Sequence, residues 1–332
     1  MPAILERARP GKRTDAIKLG IVNNMPDGAL LSTARQFLNV VEAAAPDLRV
    51  YVSLYSLPGL SRSDAGERHL KDNAYQDFAD LTATGLDAVI VTGTEPKASD
   101  LREEPYWHAL TQLFDWLDHD GPTAAFSCLA SHAAVLHYDG IERVRLPKKR
   151  FGMFDHHTNG HDELTLALPG SFRVAHSRWN EVPADALGAH GYRILTESAD
   201  AGVELFVKQR RNLMLFFQGH PEYDTHTLGR EYLRDVRRYL TGARDAYPEV
   251  PRNYFNATEK ELLDRFRARA AKERHEELMN QFPVLANRFP MKSTVASSMY
   301  GAWLSGIAAA KRMQAVTATS DRTALPGAGY GT

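Results

Sequence analysis

The sequence predicts an α/β protein built on a doubly wound, mostly parallel sheet. Three observations carry that expectation. Through the first half, short apolar runs alternate with helical patterns, the order that builds strand-helix-strand crossovers. Leu86 to Val91, LDAVIV, is apolar throughout, as in a strand buried on both faces of a parallel sheet. Thr123 to Phe126 is a second such run, and it passes within a few residues into the small, helix-friendly residues Ala130, Ala133, Ala134, Val135 and Leu136.

Taken in order, residues 1–15 are polar and are expected to form a poorly ordered arm. Ile17 to Val22 reads as a strand, ended by the turn chemistry of Asn23-Asn24-Met25-Pro26-Asp27-Gly28. Leu31 to Ala45 places Ala34, Phe37, Leu38, Val41 and Ala45 on one helical face. Arg49 to Leu57 alternates like a strand, and polar Pro58 to Lys71 reads as a loop. The loop Thr92-Gly93-Thr94-Glu95-Pro96 follows LDAVIV, and Tyr106 to Leu117 is an amphipathic helix. Beyond Lys148 the pattern turns to short strands at Leu164–Leu168, Arg173–Ala175, Tyr192–Glu197, Val203–Lys208 and Leu213–Phe217. Helical patterns return at Thr225–Leu240, Glu259–Asn280 and Met299–Met313, with Asn253 to Asn256 as a turn and a Gly/Ser/Thr-rich tail at the end.

Composition narrows the function classes. A net charge of -1 gives no electrostatic reason for a nucleic acid or an acidic membrane surface as partner. No apolar run approaches the roughly 18 residues of a membrane span. The basic N-terminal segment has no apolar core, so no secretory signal is expected. A single cysteine excludes an internal disulfide framework and fits a reducing compartment, so a cytoplasmic location is expected.

That cysteine, Cys128, lies between an apolar strand and a helix. A sharp strand-to-helix turn lifts its central side chain out of the sheet, and the helix N-terminus behind it favours a thiolate. A thiolate nucleophile needs a base, and the base needs an orienting carboxylate. His220-x-Glu222, after the last β run, offers both. In parallel sheets ligands gather at the carboxyl ends of strands, where Gly93 and Cys128 both fall. Arg234, inside the following helix, carries a guanidinium that could hold a carboxylate in a fork, although taken by itself a solvated helix face is the simpler account.

The segments Phe126-Ser127-Cys128-Leu129-Ala130, Lys149-Arg150-Phe151-Gly152, His176-Ser177-Arg178, Gly219-His220-Pro221-Glu222-Tyr223-Asp224 and Glu231-Tyr232-Leu233-Arg234-Asp235 resemble the homoserine O-acyltransferases of the homoserine O-succinyltransferase type. The likeness runs from about Ile17 to Phe255, and the stretch around His220 is its most specific part. It implies a flavodoxin-like, class I glutamine amidotransferase-like fold, with a catalytic domain over residues 16–256 and a helical extension over 257–315. The tail, 316–332, is expected to be disordered.

The resemblance also implies roles. Cys128 would take the acyl group from acyl-CoA as a thioester, His220 would be the general base and Glu222 its partner. Arg234 would bind the α-carboxylate of homoserine, while Lys149 and Ser177 match positions that contact substrate. The N–H of Leu129 and one near Gly93 would form the oxyanion hole. No metal and no cofactor are implied beyond acyl-CoA as co-substrate; the partners are succinyl-CoA or acetyl-CoA and L-homoserine.

Three departures from the family pattern stand out. Asp27-Gly28-Ala29 replaces a lysine-led charged run, so the first helix is expected to start two or three residues late. The position that reads the acyl group is Lys97, and a lysine there suits the free carboxylate of succinyl. Residues beyond about 257 have no counterpart, and that extension is expected to serve assembly into a homodimer. The resulting expectation is a homoserine O-succinyltransferase of methionine biosynthesis. The alternatives are transfer of acetyl, an acceptor such as serine or a related amino alcohol, a glutamine amidotransferase-like hydrolase, and a binding module that keeps the fold. Phe126 and Ala130, standing where glutaminases place glycines, weigh against the hydrolase.

Overall fold

The computed structural model describes residues 4–5, 16–285 and 294–323. The first half runs β1 Ile4–Leu5, β2 Ile17–Val22, α1 Asp27–Ala44, β3 Val50–Tyr55, α2 Asp64–Asp72, β4 Ala88–Val91, α3 Trp107–His119, β5 Thr123–Ser127 and α4 Leu129–Asp139. The second runs β6 Val144–Thr158, β7 Phe172–Glu181, α5 Ala184–Ala189, β8 Arg193–Ile194, β9 Thr196–Ser198, β10 Gly202–Val203, β11 Leu205–Gln209 and β12 Leu213–Phe217. It closes with α6 Thr227–Leu240, α7 Ala257–Ala270 and α8 Thr294–Thr323.

The main sheet has the order β1-β3-β2-β4-β5-β12-β11-β8. Its centre, β3-β2-β4-β5-β12, is parallel throughout, while β1, β11 and β8 pair antiparallel at the edges. Side chains alternate between two buried layers, as the twofold period of a strand requires. Ala88, Ile90, Ala125, Leu215 and Phe217 face the layer of α1 and α8. Val89, Val91, Ala124, Phe126, Met214 and Phe216 face the layer of α3 and α4. Burial on both sides is why these strands read as unbroken apolar runs. The carboxyl ends of three adjacent strands, β4, β5 and β12, lead to Gly93, Cys128 and His220 respectively, with the cysteine strand in the middle.

A smaller antiparallel sheet, β10-β9-β6-β7, stands against this end and packs with α6 and α7 around Phe151, Met153, Tyr232, Val236, Leu263 and Phe266. Gly152 sits at φ +140 in β6 with the backbone of Arg252 against it; a Cβ would come 2.3 Å from the Arg252 carbonyl oxygen. The close approach lets Met153 N–H reach Arg252 O (2.8 Å) and Arg252 N–H reach Phe151 O (2.9 Å).

Several boundaries differ from the sequence expectation, each for a visible reason. The first helix starts at Asp27, directly after Pro26, and not later. The Asp27 carboxylate accepts from Ser63 N–H (2.8 Å) and Ser63 Oγ (2.7 Å), tying that start to α2. The stretch expected as a loop at Pro58–Lys71 contains α2, capped by Ser63, whose Oγ accepts from Gly66 N–H. Leu164–Leu168 is a turn and not a strand, nucleated by Asp162, which accepts from Leu164 N–H (3.0 Å). The long β6 escaped the pattern because Lys148, Lys149 and Arg150 interrupt its alternation. The helix expected over Glu259–Asn280 ends at Ala270 and gives way to a 3-10 turn, Glu276–Gln281. Arg274 pulls the chain back by donating to Tyr239 O and Arg244 O, and Leu278 is fully buried there.

The last helix is twice the expected length, and it belongs to the core. Met299, Tyr300, Trp303 and Leu304 of α8 are buried with Phe37, Val40 and Val41 of α1. Trp303 Nε1 donates to Thr123 Oγ1 (2.9 Å), and Lys311 pairs with Asp87. The segment expected as an extension is therefore split, with α7 on the small sheet and α8 covering the main one. Of the arm expected over 1–15, Ile4–Leu5 forms an edge strand on β3, and the remainder lies outside the described residues. Of the tail expected over 316–332, residues to 323 continue α8 and the rest lies outside the described residues. Trp303→Ala removes a buried ring and its hydrogen bond, and is expected to cost about 3–5 kcal/mol of stability in urea unfolding; a loss under about 1 kcal/mol would show that α8 does not help hold the sheet together.

Candidate active site

The site begins with a backbone constraint. Cys128 is the residue between β5 and α4, and its φ is +51, the left-handed region that non-glycine residues avoid. Neighbouring bonds hold it there. Its N–H reaches Phe217 O (2.7 Å), and Ser131 Oγ, in the first turn of α4, shares its single proton between Phe126 O (2.7 Å) and Phe217 O (2.8 Å). Strain of this kind, of order 1–3 kcal/mol, persists only where surroundings over-determine it. The result is a partly exposed thiol at the mouth of the sheet.

His220 follows β12. The preceding Gly219 donates its N–H to Glu204 Oε2 (2.6 Å), and His220 N–H reaches Ala175 O on β7 (2.7 Å). A Cβ on Gly219 would fall 2.4 Å from Glu204 Oε2 and 2.7 Å from His176 Cε1, so only glycine fits this turn. The imidazole Nδ1 lies 2.8 Å from Glu222 Oε1, which also accepts from Ser127 Oγ (3.3 Å). The Cys128 sulfur is close enough to act on the same ring. Burial pulls the imidazole toward its neutral form, but the Cys128 thiolate and the Glu222 carboxylate outweigh it and hold its pKa well above the ordinary histidine value. The imidazole thus stands between the Cys128 sulfur and the Glu222 carboxylate.

Gly93, after β4, packs against this elbow: a Cβ there would stand 3.1 Å from Leu129 N. Leu129 opens α4, so its N–H has no partner within the helix. The two backbone segments expected to supply oxyanion donors are therefore side by side next to the thiol.

Lys149, Ser177 and Arg234 also converge, through two acidic residues that the sequence reading did not single out. Ser177 Oγ donates to Glu231 Oε2, and Lys149 Nζ lies 3.8 Å from the same oxygen and 3.5 Å from Asp235 Oδ2. Arg234 places Nε and Nη2 each 3.1 Å from Asp235 Oδ1. Tyr223 joins this group to the histidine. Its hydroxyl donates to Glu231 Oε1 (2.6 Å), and its ring stacks on the imidazole with centroids 4.1 Å apart. The signal was available in the helix itself, since Glu231, Arg234, Asp235 and Arg238 repeat at the three-and-four spacing of one face.

Lys97 is not brought into this cluster. It is exposed and its ammonium makes no contact among the described residues, while its backbone N–H and that of Ala98 are held by Glu104 Oε1. The residue of that loop which does reach across is Glu95, paired with Arg238 (2.8 and 3.1 Å).

Behind His220, the buried side chains of His156, His176 and Glu204 bring ligand-type atoms within 4.8 Å of one another. Their hydrogen bonds already use these atoms. His156 Nδ1 must donate to Phe154 O (2.9 Å), leaving its Nε2 as an acceptor. Arg178 Nε donates to His176 Nδ1 (3.3 Å), so the proton of His176 lies on Nε2, aimed at His156 Nε2 3.1 Å away. His176 Nε2 also stands 3.4 Å from Glu204 Oε2, so the three side chains form one buried polar group.

A cysteine at a strand-to-helix turn, with a His-x-Glu pair from the neighbouring strand on a doubly wound sheet, is the arrangement of the class I glutamine amidotransferase-like fold. At the level of fold the chain is similar to SMU.1228c, which superposes with a TM-score of 0.50 at 13% identity, over 88% of this chain and 99% of that one. A glutamine amido transferase from Methylobacillus Flagellatus gives 0.48 at 14% identity, over 88% and 95%. The family described as homoserine O-succinyltransferase matches residues 3–277. A homoserine O-succinyltransferase of Rhodopseudomonas palustris is 45% identical over 88% of each chain. The chain belongs to the homoserine O-succinyltransferase family, and it is an acyltransferase.

Glu222→Gln removes one of the two charges that raise the His220 pKa. The imidazolium of the variant should therefore lose its proton at a lower pH than in the wild type, read by NMR titration of labelled histidine rings. An unchanged midpoint would show that the carboxylate does not act on His220.

Proposed function

We propose that this enzyme transfers the succinyl group of succinyl-CoA to the hydroxyl of L-homoserine through a thioester on Cys128, in a ping-pong sequence. The observation that carries this reading is the contact set at the elbow: thiol against imidazole, imidazole Nδ1 against Glu222.

In the first half, the Cys128 thiolate attacks the thioester carbonyl of succinyl-CoA. The oxygen of the tetrahedral intermediate gathers negative charge beside the Leu129 and Gly93 backbone, where preorganised N–H dipoles stabilise it. Collapse breaks the carbon–sulfur bond to CoA, and the imidazolium of His220 gives its proton to the leaving thiolate. In the second half, the now neutral His220 takes the proton of the homoserine hydroxyl as that oxygen attacks the Cys128 thioester. The Cys128 thiolate leaves, the O-succinyl ester departs, and the ion pair is restored.

Arg234 supplies the fork for the acceptor's α-carboxylate, for which 44% side-chain exposure leaves it open. Glu231, with Lys149 and Ser177 fixing it, offers carboxylate oxygens to the acceptor's α-ammonium. The site then presents a cation to the acid and an acid to the amine, and an amino alcohol is oriented with its hydroxyl toward the thioester. Ring stacking of Tyr223 on His220 couples the acceptor group to the base.

Intact-protein mass spectrometry tests the covalent step. Succinyl-CoA without homoserine should add one succinyl mass to the wild type, and adding homoserine should remove it. Cys128→Ser should lower kcat by at least about 10³-fold, because an alcohol at neutral pH is a far weaker nucleophile than a thiolate. Wild-type-like turnover in that variant would overturn the mechanism.

A further inference from the structure

We propose that Arg238 recognises the free carboxylate of the succinyl group and is a specificity-determining residue for the acyl donor. This rests on the reading of succinyl transfer given above. Both substrates of that reaction carry a carboxylate, and the acyl-enzyme retains one at the far end of a four-carbon chain. An anionic end enclosed in a site requires a cation of its own.

The cations around the cleft can be sorted by what they already hold. Arg178 is buried and spends its nitrogens on His176, Asn180 O and Ala201 O. Lys149 stands between Glu231 and Asp235 and is mostly buried. Arg244 lies against Asp235 (3.5 Å). Arg234 is assigned to the acceptor. Arg238 stands one helical turn beyond Arg234 on the same face of α6. That face looks into the cleft, since Glu231 on it meets Ser177 and Tyr223, and Thr227 meets Gln36 of α1.

What Arg238 holds is informative. Its guanidinium grips Glu95 with both prongs, at 2.8 and 3.1 Å, the geometry a ligand carboxylate would adopt. Glu95 lies two residues past Gly93, on the loop that leaves β4 beside the nucleophile, so the pair ties α6 to that loop. Both partners are close to half exposed, at 41% and 49% of their side chains, and an exposed ion pair is weak enough to exchange. Arg238 holds the Glu95 carboxyl below its usual range, so the fork is occupied by a full negative charge at neutral pH. A succinyl carboxylate entering the site replaces one carboxylate with another of equal charge and shape. Lys97, unpartnered in solvent, has no such geometry.

Donor competition tests the assignment. Initial rates with succinyl-CoA and acetyl-CoA are measured on the full chain at saturating homoserine, and the homoserine KM in a second series in which homoserine is varied. Arg238→Leu should lower kcat/KM for succinyl-CoA by about tenfold or more and leave acetyl-CoA within about twofold, with the homoserine KM unchanged. Arg238→Lys keeps the charge without the fork and should fall between. Glu95→Gln should leave succinyl-CoA use intact or improved, and Lys97→Glu should leave the donor ratio in place. Equal losses with both thioesters, no loss with either, or a shift in the ratio confined to Lys97→Glu would overturn the proposal. A wild-type enzyme unable to succinylate homoserine would instead overturn the functional reading, and that result appears before any variant is made.

Discussion

The site depends on one unfavourable torsion. At φ +51 the Cys128 backbone leaves the sheet abruptly, so its side chain projects beyond the strand ends instead of into a packed face. Without that turn, the strand alternation would carry the residue after Ser127 back into an apolar layer. The torsion is offset by fixed bonds: the Cys128 N–H on Phe217 O and the Ser131 hydroxyl, whose one proton is shared between Phe126 O of β5 and Phe217 O of β12. The same bonds lock β5 against β12, the strand that delivers His220. The nucleophile and its base therefore share one scaffold, and a shift in either strand moves both.

Around this fixed pair the protein layers a more adjustable set of charges. The small antiparallel sheet brings Lys149 and Ser177 toward α6, where Glu231, Arg234 and Asp235 await them. Asp235 is buried with Lys149, Arg234 and Arg244 within 3.5 Å, so local charge is nearly balanced while leaving cationic forks exposed at the rim. Binding zwitterionic and anionic molecules in a low-dielectric cleft needs this kind of balance. Uncompensated cations would be costly to bury, and fully paired ones would have nothing to offer a ligand.

Much of the fold was legible in the sequence, and the failures have a common cause. Strands buried on both faces, such as LDAVIV and the run before Cys128, announce themselves because every residue must be apolar. Strand β6 did not, because Lys148, Lys149 and Arg150 stand consecutively across both of its faces, at an irregularity in its pairing with β7, and break the alternation. Helix α8 read as a weak appendage because its small residues give little amphipathic signal, yet Met299, Tyr300 and Trp303 bury against α1. Close helix packing favours small side chains, and small side chains carry little periodic contrast.

The sequence by itself determined the parallel sheet, the cysteine at its strand-to-helix turn and the His-x-Glu pair, because each is a local pattern imposed by backbone geometry. Only the tertiary structure decided which charges meet. Glu95 finds Arg238 across 143 positions of chain, and Ser177 finds Glu231 across 54. Lys97, well placed in the linear order, is turned to solvent because Glu104 captures its amide. A charged side chain on a surface pattern has no periodicity that names its partner; that choice is made when sheet, loop and helix pack, and desolvation allows only some of the pairings to form.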